Sequence, residues 1–135
     1  MNEKSFLEPL EDLLKSDMTF GHRQHVALAW QYLQLTDQLT AENWMRDAIQ
    51  HVAFKHGAAD KYHETITIAW IRLVGTHVRT SGLDNFDEFI AQNSDLLNPH
   101  LLGHFYSSKV LQSASARQHW VEPDVAPLPQ SGVVE

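Results

Sequence analysis

Two short stretches carry side chains able to do chemistry. Phe20-Gly21-His22-Arg23-Gln24-His25 places two imidazoles three residues apart. Lys61-Tyr62-His63-Glu64-Thr65-Ile66-Thr67 places a phenol, an imidazole, a carboxylate and two hydroxyls within seven residues. Neutral imidazole ligates metals and moves protons near neutral pH. His22 and His25 stand at i and i+3 and share a helix face. Val26, Ala29 and Trp30 continue that face with apolar residues. His63 and Thr67, at i and i+4, line up with Trp70 and Val74 in the same way. All three histidines are therefore expected to point inward at the rim of a core. The dipole at a helix N-terminus disfavours imidazolium there, and partial burial does the same.

Three convergent neutral imidazoles would supply the protein part of a catalytic metal site with one open position. The expectation is one divalent metal, zinc or iron, held by His22, His25 and His63, whose bound water is the nucleophile or proton acceptor. Glu64 points about 100° around the helix from His63. It is expected as a general base or as an orienting group; as a ligand it would shift the preference toward iron or manganese. His63 and Glu64 are thus the catalytic candidates.

Tyr62, Thr67, His104 and Arg117 are the candidates for substrate binding. Arg117 would clamp a carboxylate or phosphate, in competition with an ion pair to Asp124 that pins the chain end. Two further readings use the same cluster. One is a metal-free small-molecule pocket or acid/base site in which His63 and Glu64 exchange protons. The other is a non-enzymatic helical interaction module. His51, His56, His77, His100 and His119 are expected on the surface, and the four tryptophans in the core.

Helices must position these residues. Leu7, Leu10, Leu13 and Leu14 form one stripe of a first helix, with Pro9 in its early turns. Thr19 is expected to cap a second helix reaching about Leu35, and Thr40 a third that stops at Gly57. Asp60 is expected to cap a fourth helix running to about Thr80. Asn85 opens a short fifth. Asn98-Pro99 starts a sixth that breaks near Ser107-Ser108 and resumes toward Trp120.

Pro123, Pro127 and Pro129 rule out a helix beyond Glu122 and imply an extended strap. The expected fold is all-α: a compact bundle of five to six helices with an extended, proline-containing C-terminal strap. Residues 1–129 would form one domain and 130–135 a disordered tail. Short connections favour an up-and-down arrangement. The second, fourth and sixth helices then start at one end, which gathers six of the nine histidines.

Composition excludes several classes. With no cysteine, there is no disulfide, thiolate metal site or cysteine nucleophile. A net charge of −7 argues against nucleic acid as a partner. No basic run precedes an apolar stretch near the N-terminus, and no apolar run is long enough to span a bilayer, so the expectation is a cytoplasmic protein acting on a small molecule away from membranes. There is no phosphate loop, nucleophile elbow or dinucleotide fingerprint, and Thr67 stands where His-Glu-x-x-His would need its second histidine. Oligomeric state, substrate and reaction class stay open.

Phe20-x-His22-x-x-His25, Lys61-Tyr62-His63-Glu64-Thr65-x-Thr67, Tyr106-Ser107, Ala116-Arg117 and Glu122-Pro123-Asp124-x-x-Pro127-Leu128-Pro129 together resemble a family of small, uncharacterised bacterial helical proteins. The resemblance runs from about Phe20 to Pro129. It implies no activity. It points to His22, His25, His63, Glu64 and Arg117, the residues already singled out by chemistry.

Overall fold

The computed structural model describes residues 4–16, 21–82 and 85–129. The leucine stripe forms α1 (Lys4–Ser16), which contains Pro9 and buries Leu10 completely. The expected cap Thr19 lies outside the described residues, as does Phe20. The following helix, α2 (His22–Leu35), has Gly21 at its N-cap, and the Gly21 amide donates to Gln24 Oε1 at 2.9 Å.

Two further caps differ from expectation. α3 (Gln38–Lys55) is capped by Asp37, whose carboxylate accepts from the Thr40 amide at 2.7 Å; Thr40 is the donor, one turn in. A carboxylate at the cap also meets the positive end of the helix dipole. α4 (Glu64–Ser81) is capped by His63, whose Nδ1 accepts from the Ile66 amide at 3.1 Å. Asp60 belongs instead to a single 3-10 turn, Ala59–Lys61. At the other end of α4, Gly82 takes the left-handed conformation (φ 67°) that ends helices with glycine.

Asn85 caps α5 (Phe86–Gln92) as expected. The sixth helix expected from Asn98-Pro99, with its break near Ser107-Ser108, is three short pieces, and a further 3-10 turn precedes it. These are 3-10 turns at Ser94–Leu97 and Leu101–His104, then α6 (Ser108–Leu111) and α7 (Ala114–Gln118). Ser107 and Ser113 each accept an amide three residues on, so each serine starts a new helix instead of continuing the previous one. After α7 the chain runs without regular structure to Pro129. Phe105 O accepts from the Val125 and Ala126 amides, and Pro129 O accepts from Thr76 Oγ1. No strand occurs among the described residues, and the fold is all-α.

Contacts fix the helix directions. Tyr32 stacks edge-on against Trp44 across the short α2–α3 turn. From α3 to α4, Gln38 reaches Arg79, Glu42 reaches Arg72 and Arg46 reaches Glu64. Both pairs are antiparallel, so α2 and α4 run the same way. One apolar core collects Leu10, Val26, Leu28, Tyr32, Met45, Trp70, Leu73, Phe89 and Tyr106, with Trp120 and Leu128 packed against it. Burying each such side chain contributes about 1.5–3 kcal/mol before entropy is counted. Among the described residues, no helix is long and apolar enough to cross a membrane.

A candidate functional cleft at the start of the fourth helix

The first turn of α4 is built around one carboxylate. Glu64 is the first residue of the helix, where a negative charge meets the positive dipole end. Arg46 crosses from α3 and grips it. Nε lies 3.0 Å from each carboxylate oxygen, and Nη2 lies 2.7 Å from Oε2. The remaining terminal nitrogen, Nη1, donates to Asn43 Oδ1 at 2.7 Å. Tyr62, in extended backbone just before the helix, donates its hydroxyl to Glu64 Oε1 at 2.7 Å.

This network shifts the titration of its members. Burial alone would raise the Glu64 carboxyl. The hydrogen bonds from Arg46 and Tyr62, with the charge of Arg46, outweigh it and hold the group below its ordinary range. Burial, followed by the bond to Glu64, pushes the Tyr62 phenol above its ordinary value. The bond to Glu64 likewise raises Arg46. A carboxylate held in this way is a weak proton acceptor at neutral pH.

Above the network opens a cleft of about 720 Å³, lined by Arg46, Phe54, Tyr62, Glu64 and Arg117 among others. Three of the residues named from sequence, Tyr62, Glu64 and Arg117, therefore meet here. Arg117, exposed on α7, gives one bond, from Nη1 to the Lys61 carbonyl at 3.2 Å. The expected Arg117–Asp124 pair does not form; Asp124 Oδ1 instead accepts the Ser107 amide at 2.8 Å. Thr67 is buried and returns its hydroxyl to the His63 carbonyl at 2.8 Å. His104 is exposed, with its ring beside Phe105 and away from this cleft.

His63 borders the cleft but does not line it. Nδ1 accepts from Ile66 N–H, so Nε2 carries the proton and donates to the Leu111 carbonyl at 2.7 Å. Burial lowers its pKa, opposed by the Leu111 bond and helped by the charge of Arg117. For His63 to ligate a metal, one of these two hydrogen bonds would have to break.

His22 and His25 lie elsewhere. The His22 ring packs edge-on against Trp70 at 4.4 Å, and its Nε2 lies 2.8 Å from the Leu96 carbonyl oxygen. The His22 and His25 ring centres are 6.5 Å apart. Burial first, and the neighbouring His22 second, lower His25 to about 4. Trp70 stands seven residues beyond His63, about 10 Å of helix rise. α2 and α4 do start toward the same end, but α2 is shifted along α4 by about two turns. Among the described residues, no three His, Asp or Glu side chains are placed to hold one metal ion.

Arg46 is the residue sequence reasoning missed. It lies 18 positions from Glu64, and only the antiparallel pairing of α3 and α4 joins them. Comparison with family models, with curated proteins and with solved structures finds no match for this chain.

Proposed function

We propose that this chain is a small-molecule-binding protein, with a small organic anion as ligand, seated in the cleft between α3, the start of α4 and α7. One observation carries the reading. The floor of the cleft is internally neutralised, because Arg46, Glu64 and Tyr62 satisfy one another. Arg117 at the rim, in contrast, has no carboxylate within ion-pair distance among the described residues. An anionic group entering the cleft, whose lining also includes Asp60, meets a guanidinium outside any ion pair and suited to two-point recognition of a carboxylate. Phe54, 74% exposed on the opposite wall, offers an apolar surface to the body of such a ligand.

Benzoate and its neutral analogue benzamide test this. Calorimetric titration should give saturable benzoate binding at least about tenfold tighter than benzamide, a difference of about 1.4 kcal/mol. Arg117→Ala should remove the difference. Equal binding of the two probes, or binding untouched by Arg117→Ala, would overturn the reading.

A metal centre is a second reading, favoured by the proximity of His22 to a His25 that is neutral at physiological pH. It requires a third ligand to join them. Elemental analysis of untagged protein tests it: stoichiometric zinc or iron, lost in the variant His22→Ala, supports it. Metal far below stoichiometry and unchanged by that substitution counts against it.

A further inference from the structure

A second groove of about 640 Å³ lies toward the other end of the α3–α4 pair, between these helices and the strap. Its helix wall is cationic. Arg72, Thr76 and Arg79 stand at i, i+4 and i+7 on α4 and so share one face. Arg72 gives Nε and Nη2 to the buried Glu42 carboxylate, at 3.1 and 3.3 Å, and its guanidinium lies 4.3 Å from the Trp120 ring centre. Nη1 of Arg72 has no partner among the described residues. Arg79 Nη1 donates to Gln38 Oε1 at 2.9 Å, and Gln38 in turn donates to Glu42 at 3.0 Å. Glu42 thus holds Arg72 directly and Gln38 on its other side. The packing is close: a Cβ at Gly75 would collide with Gln38 Oε1.

The strap wall is anionic. Glu122 accepts from Trp120 Nε1 through Oε2, and Asp124 accepts from Ser107 N through Oδ1. The second oxygen of Glu122 has no partner among the described residues. Between the two walls lie apolar groups that water reaches, Leu39 at 70% and Val125 at 58% exposure, with Pro127 and Leu128 beside them.

We infer that this groove binds a short zwitterionic peptide, two or three residues long with apolar side chains. Its carboxylate would sit on the Arg72–Arg79 wall and its ammonium on the Glu122–Asp124 wall. Charge complementarity selects this class. A simple organic anion would use only the helix wall, and a cation only the strap wall. The volume falls within the 300–1,000 Å³ range of small-ligand sites. The exposed Leu39 and Val125 give apolar side chains a partner that neither charged wall supplies.

The test uses the tripeptide alanyl-leucyl-alanine, its N-acetylated form and its C-terminal amide, each titrated into isotopically labelled full-length protein. The free tripeptide should give saturable amide shifts at Thr76, Arg79 and Val125 and at the Trp120 indole. Each blocked form should bind at least about tenfold more weakly. Arg79→Ala and Glu122→Gln, both at exposed positions, should each weaken binding about fivefold while leaving the thermal melt unchanged. Undiminished binding of either blocked form would overturn the inference, as would the absence of saturable shifts at about 10 mM peptide.

Discussion

His63 ties the start of α4 to the end of α6, with its Nε2 2.7 Å from the Leu111 carbonyl oxygen while Nδ1 caps the Ile66 amide. Both ring nitrogens are used, and their roles define the neutral tautomer with the proton on Nε2. His63→Ala removes a helix cap and a tertiary hydrogen bond together, and should destabilise the protein by about 2 kcal/mol. His63→Asn can still cap but cannot span to Leu111, and should lose about half as much. Urea denaturation of the two variants checks this. Equal losses would show that only the Leu111 bond matters.

The Arg46–Glu64 pair is partly shielded, with side-chain exposures of 34% and 14%. Removing one partner of a fully buried pair costs about 3–5 kcal/mol, and of an exposed pair under about 1. Arg46→Ala should therefore cost roughly 2 kcal/mol in chemical denaturation, and Glu64→Gln somewhat less, since the amide still accepts one bond. A double-mutant cycle should show the two losses to be non-additive. Full additivity would mean that the pair contributes little.

Thr65 is fully buried, donates to the His119 carbonyl at 2.7 Å and accepts from the Val121 amide at 3.1 Å. Thr65→Val keeps the volume but orphans both backbone groups, at a cost of about 2 kcal/mol. The local signature is faster hydrogen exchange at Val121 in the folded state. Unchanged protection there would show that the strap is held by other bonds, such as Tyr106 Oη to the Val121 carbonyl at 2.6 Å.

Acid should destabilise the fold before the carboxylates titrate. His25 keeps part of its surface, but its Nε2 atom is buried, and its pKa falls to about 4. In the unfolded chain the same group titrates near 6.5. Between those values the unfolded chain binds a proton that the folded chain does not. Stability is therefore complete above pH ~6.5 and falls as pH drops toward 4, by roughly 2–3 kcal/mol. His63, also lowered by burial, acts in the same direction. Denaturation midpoints across this range should show the slope in the native protein, and His25→Gln should flatten it. An equally steep slope in that variant would rule out His25 as its origin.

The sequence made the helices legible where leucine and aromatic spacing was regular, from α1 to α5, because burial of one face decides that pattern. It misplaced two caps: Asp37, a stronger acceptor, stands three residues before Thr40, and a separate 3-10 turn takes up Asp60 and leaves His63 to start α4. In residues 98–120 the break near Ser107-Ser108 is legible in the sequence, but apolar spacing alone does not show that Ser113 restarts the chain again. Tyr62, Glu64 and Arg117 stand out by type, but their meeting in one cleft depends on packing. Two features lay beyond the one-dimensional pattern. One is the two-turn stagger that sets His22 against Trp70 and not beside His63. The other is Arg46, whose role exists only after α3 and α4 pack.

The cleft draws its parts from distant stretches of chain. Glu64 and Tyr62 lie near the middle, yet the bonds that finish their surroundings come from Leu111, Arg117, His119 and Val121. During synthesis α2, α3 and α4 can pair as soon as they emerge, since their contacts are close in sequence. The cleft cannot close until the last of these residues has left the ribosome. A nascent chain arrested before Leu111 should therefore be helical and compact, yet lack the finished cleft.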